Sequence, residues 1–207
     1  MIKGLILDLD DTIFPTNSID PLIFKPFFDS FEKFNDVLSE AEIKKASAEL
    51  WKRPFQVVAE TFGFSDNMIN KSLECLNTLD FSLSIKPFED YSYLKTITLN
   101  KYLVTTGFKK LQLAKIEALS LGNDFMEIII DDPTVSSGGK VEAFKAIMRK
   151  YNHQPEEILV IGDNLDSEIK AGIELGMQTL LIDRKSELPI AGAVINSFHE
   201  IRNIIGR

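Results

Sequence analysis

Cysteine is nearly missing from this chain. Cys75 stands alone, so no internal disulfide can form, and its neighbours Leu73, Leu76 and Leu79 mark a helical pattern in which packing is its expected role. A lone thiol suits a reducing compartment. Positive charge is also in short supply: Lys and Arg number 23 against 31 Asp and Glu, a net charge of −8. Such a chain repels polyanions, which argues against non-specific binding of nucleic acid. Any phosphate chemistry would need a metal, local lysines or oriented backbone amides. Long apolar runs are lacking too. None is long enough to span a bilayer, and the run from Ile2 to Leu7 is too short for a signal peptide, so the cytoplasm is the expected location.

What is present is ordinary in bulk. With 44% hydrophobic and 26% charged residues over 207 positions, the chain can build one core domain carrying a modest insertion. The informative feature is a change of texture along it. An apolar strand over residues 2–7 runs into the acidic cluster Asp8-Leu9-Asp10-Asp11. From Phe14 to about Leu83 helical spacing takes over. Phe27, Phe28, Phe31 and Phe34 recur on one face, Ser39 and Glu42 read as a capping box for a helix to about Trp51, Pro54 and Gly63 bracket another, and Ser65 caps one through Leu76. No strand is expected there.

After Ile85-Lys86-Pro87 strands and helices alternate. Strands are expected at Tyr102–Thr105, Glu127–Ile130, Ile158–Ile161, Thr179–Ile182 and Ala193–Ile195. Helices are expected at Lys109–Leu119, Val141–Tyr151 and Asp166–Leu175, with a last one at the C-terminus. This pattern predicts an α/β fold, a Rossmann-like parallel sheet with helices on both faces plus a small helical domain. The core would comprise residues 1–13 and 86–207, and the helical domain 14–85. Ligands of such sheets sit at the carboxyl ends of the strands.

Four polar groups fall at those ends or at the helix starts beyond them. Strand alternation points Asp8 and Asp10 the same way, and two like carboxylates so placed require a cation or a shared proton. A plain acidic turn would also explain them, as Asp11 and Thr12 favour turns. Thr105-Thr106-Gly107 closes an apolar strand and can bind an anion through a hydroxyl and free amides, or merely cap a helix. Gly138-Gly139-Lys140 precedes a helix, where a lysine can neutralise a phosphate or simply be solvated. Gly162-Asp163 follows a strand and Glu168 lies one helical turn on. An N-cap cluster answering the helix dipole explains Asp166 and Glu168 better than it explains Asp163.

In this order, the four groups resemble the motifs of the haloacid dehalogenase-like superfamily. Asp8-Leu9-Asp10-Asp11-Thr12 is similar to its first motif and Val104-Thr105-Thr106-Gly107 to its second. Lys140 matches its lysine, and Gly162-Asp163 with Glu168 its acidic fourth motif. The resemblance implies that Asp8 is the nucleophile forming an aspartyl-phosphate and that Asp10 is the general acid and base. Thr105, the amide of Thr106 and Lys140 would hold the transferring oxygens. Asp8, the backbone carbonyl of Asp10, Asp163 and Glu168 would form the metal site, with Mg2+ as cofactor. An aspartate at Asp10 points away from dehalogenation, since halide departs without a proton. The expected substrate is a small phosphorylated metabolite.

Two departures stand out: Thr106 where relatives often carry Asn, and Glu168 where Asp is common. Lys52 and Arg53 could reach a substrate anion, though cations at a helix end more often answer its dipole. The helical segment 14–85 lies where one branch of the family inserts a cap domain over the active site, so the six phenylalanines from Phe14 to Phe34 read as cap core, and His153 and His199 as surface or packing residues. A phosphotransferase such as a sugar-phosphate mutase would share every catalytic position. A signalling receiver domain would place its acceptor aspartate on the third strand and lack the helical insert. A non-catalytic phosphate-sensing homologue sits poorly with a full set of catalytic positions. The oligomeric state is not legible.

Overall fold

A computed structural model describes residues 1–135, 138–184 and 194–205. Six parallel strands form one sheet: β1 (Gly4–Leu7), β2 (Asn100–Thr106), β3 (Glu127–Asp131), β4 (Ile158–Gly162), β5 (Gln178–Ile182) and β6 (Val194–Ile195). Their order is β3-β2-β1-β4-β5-β6. The chain runs outward from β1 through β2 to β3, then returns to the other flank of β1 for β4. That reversal opens a crevice beyond the carboxyl ends of β1 and β4. The expected strands therefore form within two residues of their expected bounds, except that Ala193 lies outside the described residues.

The segment after β1 holds four helices within residues 25–78, α1 (Lys25–Lys33), α2 (Glu40–Glu49), α3 (Phe55–Phe62) and α4 (Asp66–Thr78). The local signals act as expected. The Ser39 amide donates to Glu42 while the Glu42 amide donates to the Ser39 hydroxyl, and Ser65 accepts from the Met68 amide at 3.1 Å. The helices bury an apolar cluster of their own, with Phe31, Ala46, Val58, Phe64 and Met68 at its centre. A second cluster around Phe27, Leu76, Leu79 and Phe81 also takes in Phe108, Leu111 and Ala114, so it joins this segment to the sheet domain. The phenylalanines expected in a cap core are in these clusters, save Phe14, which belongs to the main core, and Phe34, whose ring lies near the Lys33 and Lys71 ammoniums. Cys75 is half-buried in the second cluster.

The sheet is apolar on both faces because both are covered. Leu5, Leu7, Leu103, Leu159, Ile161 and Ile182 face one core with α5 (Tyr91–Thr96) and α6 (Lys109–Ala118). Ile6, Tyr102, Val104, Ile158 and Val160 face the other with α7 (Gly139–Tyr151) and α8 (Lys170–Glu174). The short α9 (Arg202–Ile205) closes the described chain. α5 was not apparent in the sequence pattern. The helix expected over Asp166–Leu175 divides instead into a π-type turn at Leu165–Ile169 and the single-turn α8. His153 bonds the Tyr102 hydroxyl at 2.8 Å and the His199 ring packs against Tyr93 at a tilt, centroids 4.9 Å apart, packing roles as expected. Among the described residues no helix is long and apolar enough to cross a membrane.

Candidate active site

β1 and β4 end side by side. The Asp8 amide donates to the Ile161 carbonyl at 3.0 Å, carrying the ladder one residue past β1 and setting the Asp8 side chain at the mouth of the crevice. Asp163 follows the last residue of the neighbouring strand. Lys140, in the first turn of α7, reaches between them and donates to Asp8 Oδ1 at 2.5 Å and to Glu168 Oε2 at 2.6 Å. Asp8, Lys140 and Glu168 are all buried, while Asp163 opens to solvent. The other Glu168 oxygen accepts from the Asn164 amide at 2.7 Å, and the Thr12 hydroxyl approaches Asp163 at 3.5 Å.

The π-type turn carries Glu168 back over the end of β4, a form of irregularity common at functional sites. It requires Gly162: a Cβ there would overlap the Glu168 side chain. Asp11 takes a left-handed backbone (φ 50°) and accepts from both the amide and hydroxyl of Thr16, the turn role expected of it.

Electrostatically the crevice is short of positive charge. Burial pushes the Asp8 carboxyl well up, opposed by Lys140 and reinforced by Glu168 and Asp10. Partial desolvation, with Glu168 and Asp11 close by, pushes Asp163 up to about 7. Burial alone would favour neutral Lys140, but Asp8 and Glu168 outweigh it and hold its pKa above the ordinary lysine value. With all three carboxyl groups ionised, one ammonium would leave two negative charges uncompensated, and this repulsion adds to burial in pushing Asp8 and Asp163 up. Oxygens of Asp8, Asp163 and Glu168 lie within 4.8 Å of one another, and a hard divalent cation with oxygen ligands fits both the charge and the donor set.

The remaining expected residues gather next to this cluster. Asp10 does not turn its carboxylate into it; Oδ2 accepts from Gln112 at 2.9 Å and Oδ1 from Lys115 at 2.6 Å. The Thr105 hydroxyl accepts from the same Gln112 amide at 2.6 Å, which holds Thr105 beside Asp10. The Thr106 hydroxyl faces Asp131 at 3.3 Å, so only the Thr106 backbone remains for an anion. Lys52 and Arg53 pair with Glu49 near the end of α2, at 3.4 and 3.8 Å.

The family profile for haloacid dehalogenase-like hydrolases matches residues 5–182, a span holding every one of these groups. The chain belongs to this family. Among relatives of this hydrolase, glyceraldehyde 3-phosphate phosphatase of Methanocaldococcus jannaschii is 24% identical over 99% of this chain and 97% of its own length. Pyrophosphatase PpaX of Oceanobacillus iheyensis is 25% identical over 87% of this chain and 83% of its own. Of solved structures, a haloacid dehalogenase-like phosphatase from Thermococcus onnurineus superposes with a TM-score of 0.68 at 18% identity, covering 99% of this chain and 98% of that one. The magnesium-bound hydrolase YfnB of Bacillus subtilis gives a TM-score of 0.61 at 21% identity, covering 100% and 99%. These two share the fold.

Sequence reasoning missed Gln112 and Lys115, and gave Thr12 a place in the first motif without its approach to Asp163. Lys115 and Gln112 carried one weak signal, polar residues three apart on the helix directly after the second motif. Nothing local says that this face turns inward.

Proposed function

We propose that this hydrolase is a magnesium-dependent phosphatase that cleaves a small phosphorylated metabolite through an aspartyl-phosphate on Asp8. The observation that carries the reading is the Asp8–Lys140–Glu168 cluster beside Asp163, a buried nucleophile candidate with one ammonium for three carboxyl groups. The names of the phosphatase and pyrophosphatase relatives support the same class.

In this reading an Asp8 oxygen attacks phosphorus, forming the carboxylate–phosphorus bond as the bond to the leaving oxygen breaks. Asp10 gives that oxygen its proton. It then takes a proton from the water that attacks phosphorus, freeing Asp8 and inorganic phosphate. Lys140 and Thr105, with the Thr106 amide, hold the non-bridging oxygens in place. Asp8, Asp163 and the Asp10 carbonyl would hold Mg2+, with Glu168 orienting Lys140 and the Asn164 amide around them. When bound, the ion would supply charge neutralisation for nucleophile and phosphate. The helices within residues 14–85 would act as a cap that selects the substrate. Localisation in the cytoplasm completes the reading, and free Cys75 suits it.

The test is phosphate release from p-nitrophenyl phosphate and a panel of phosphorylated metabolites, with magnesium or EDTA, for wild type and Asp8→Asn. Turnover that needs magnesium and is abolished by Asp8→Asn is expected. Equal turnover by both proteins would remove Asp8 as nucleophile. Transfer of phosphate to a sugar in place of water would identify a mutase.

A further inference from the structure

We infer that Gln112 and Lys115, on α6, are positioning residues that fix the Asp10 carboxylate for proton transfer; this rests on Asp10 being the general acid of the proposed reaction. One helical turn separates the two side chains, so they project from the same face of α6. That face is turned into the protein: Gln112 is 1% exposed and Lys115 6%. Burying a lysine and an amide costs free energy that an apolar pair would not; the Lys115 ammonium and the Gln112 Nε2 find acceptors there, while Gln112 Oε1 has no hydrogen-bond partner among the described residues.

Their partners converge on one group. Lys115 Nζ donates to Asp10 Oδ1 at 2.6 Å, and Gln112 Nε2 donates to Asp10 Oδ2 at 2.9 Å. Both oxygens of the carboxylate are therefore held by one rigid helix, which leaves the group a single orientation. The same Gln112 nitrogen lies 2.6 Å from the Thr105 hydroxyl and 3.2 Å from the Thr106 carbonyl. It thus ties Asp10 to the strand end that would hold the phosphoryl oxygens. The Lys115 ammonium lies over the Phe14 ring, 5.8 Å from its centroid. Gly107 completes the arrangement. Its φ of 151° is one that side-chain-bearing residues rarely adopt, and a Cβ there would press on the Gln112 amide at 3.3 Å.

A plain salt bridge anchoring α6 to the loop after β1 would need only Lys115 and one oxygen. Occupation of both oxygens, and the link through the same amide to Thr105, go beyond anchoring. Proton transfer is sensitive to misplacement of the acid by an ångström or less, so loosening either contact should reduce acid assistance specifically.

The leaving group separates positioning from general structural support. An alkyl phosphate leaves as a strongly basic alkoxide and needs the proton, whereas p-nitrophenolate leaves readily without one. The experiment measures kcat/KM, which reports the first phosphoryl transfer, on an alkyl phosphate substrate and on p-nitrophenyl phosphate, all with magnesium. Wild type is compared with Lys115→Met, Gln112→Met and Asp10→Asn, with circular dichroism to check folding. Lys115→Met and Gln112→Met should lower kcat/KM for the alkyl substrate about tenfold or more beyond any loss on the aryl substrate, in the same direction as Asp10→Asn. Lys115→Arg, which keeps the charge and is the variant most able to fold, should show the same selectivity in weaker form. Equal losses on both substrates, or no loss, with Asp10→Asn selective, would overturn the positioning role. Loss of equal size on both substrates in Asp10→Asn itself would overturn the acid assignment, and this inference with it.

Discussion

Arg184, two residues past the end of β5, forms a salt bridge with Asp90, at the start of α5, with Nη1 2.6 Å from Oδ2. The guanidinium is held between the rings of Phe88 and Phe198, at 4.2 and 4.6 Å, and its other terminal nitrogen donates to the Thr12 carbonyl at 2.8 Å. The Ser197 hydroxyl and the Phe198 amide also donate to Asp90 Oδ2, each at 2.8 Å. The Asp90 carboxylate thus fastens Arg184 to the segment after β6, and Arg184 carries the link on to the loop that follows Asp8.

Burial alone would raise the Asp90 pKa, but Arg184, Phe198 and Ser197 outweigh it and hold the carboxyl below the ordinary value of 3.8. A depressed carboxylate adds stability that is complete above its unfolded pKa and is lost as pH falls through the lower folded value. Asp90→Asn should cost about 3 kcal/mol at pH 7, since it strands a nearly buried arginine. The gap to wild type should narrow as pH drops below 3.8. Urea melts at pH 7 and near pH 3 check this; a gap that is constant with pH would contradict it.

Gly162→Ala puts a methyl where the Glu168 side chain lies. Glu168 must then leave Lys140 and the Asn164 amide. The strand should survive, but magnesium affinity should fall about 10- to 100-fold, the usual effect of disturbing groups that orient metal ligands. Isothermal titration with Mg2+ measures it, and unchanged affinity would mean that Glu168 orients nothing at the metal.

Lys140→Met leaves Asp8 and Glu168 buried without their ammonium. In EDTA the variant should lose about 3–5 kcal/mol of stability. Magnesium should recover more stability in the variant than in wild type, because more negative charge awaits it. Thermal unfolding with and without Mg2+ decides, and an equal magnesium shift in both proteins would count against the carboxylate cluster as the ion's site.

Phe31 is fully buried at the centre of the cluster made by α1–α4, apart from both cores of the sheet. Phe31→Ala should cost about 3–5 kcal/mol. Amide hydrogen exchange should show that protection falls in α1–α4 while β1, β2 and β4 keep theirs. Uniform loss across the sheet would mean that the helices and the sheet unfold as one unit.

Much of this protein is decided by neighbours along the chain. Short apolar runs, each ending in a polar cluster, make strands with Asp8, Thr105 and Asp163 at or just past their carboxyl ends wherever the sheet forms. Ser39, Ser65 and Gly63 set helix ends by bonds within a few residues. These features were legible because strand alternation and helix capping are local. The tertiary structure alone decided the rest. Placing β4 beside β1 brings Lys140 to Asp8 across 132 positions, and packing α6 on the sheet turns Lys115 toward Asp10 across 105. α5 is too short to show a period, and the π-type turn that folds Glu168 under Lys140 has no local signature. A buried polar side chain is stable only beside a partner that satisfies it, and that partner is chosen by the order of strands in the sheet, which no stretch of local sequence contains.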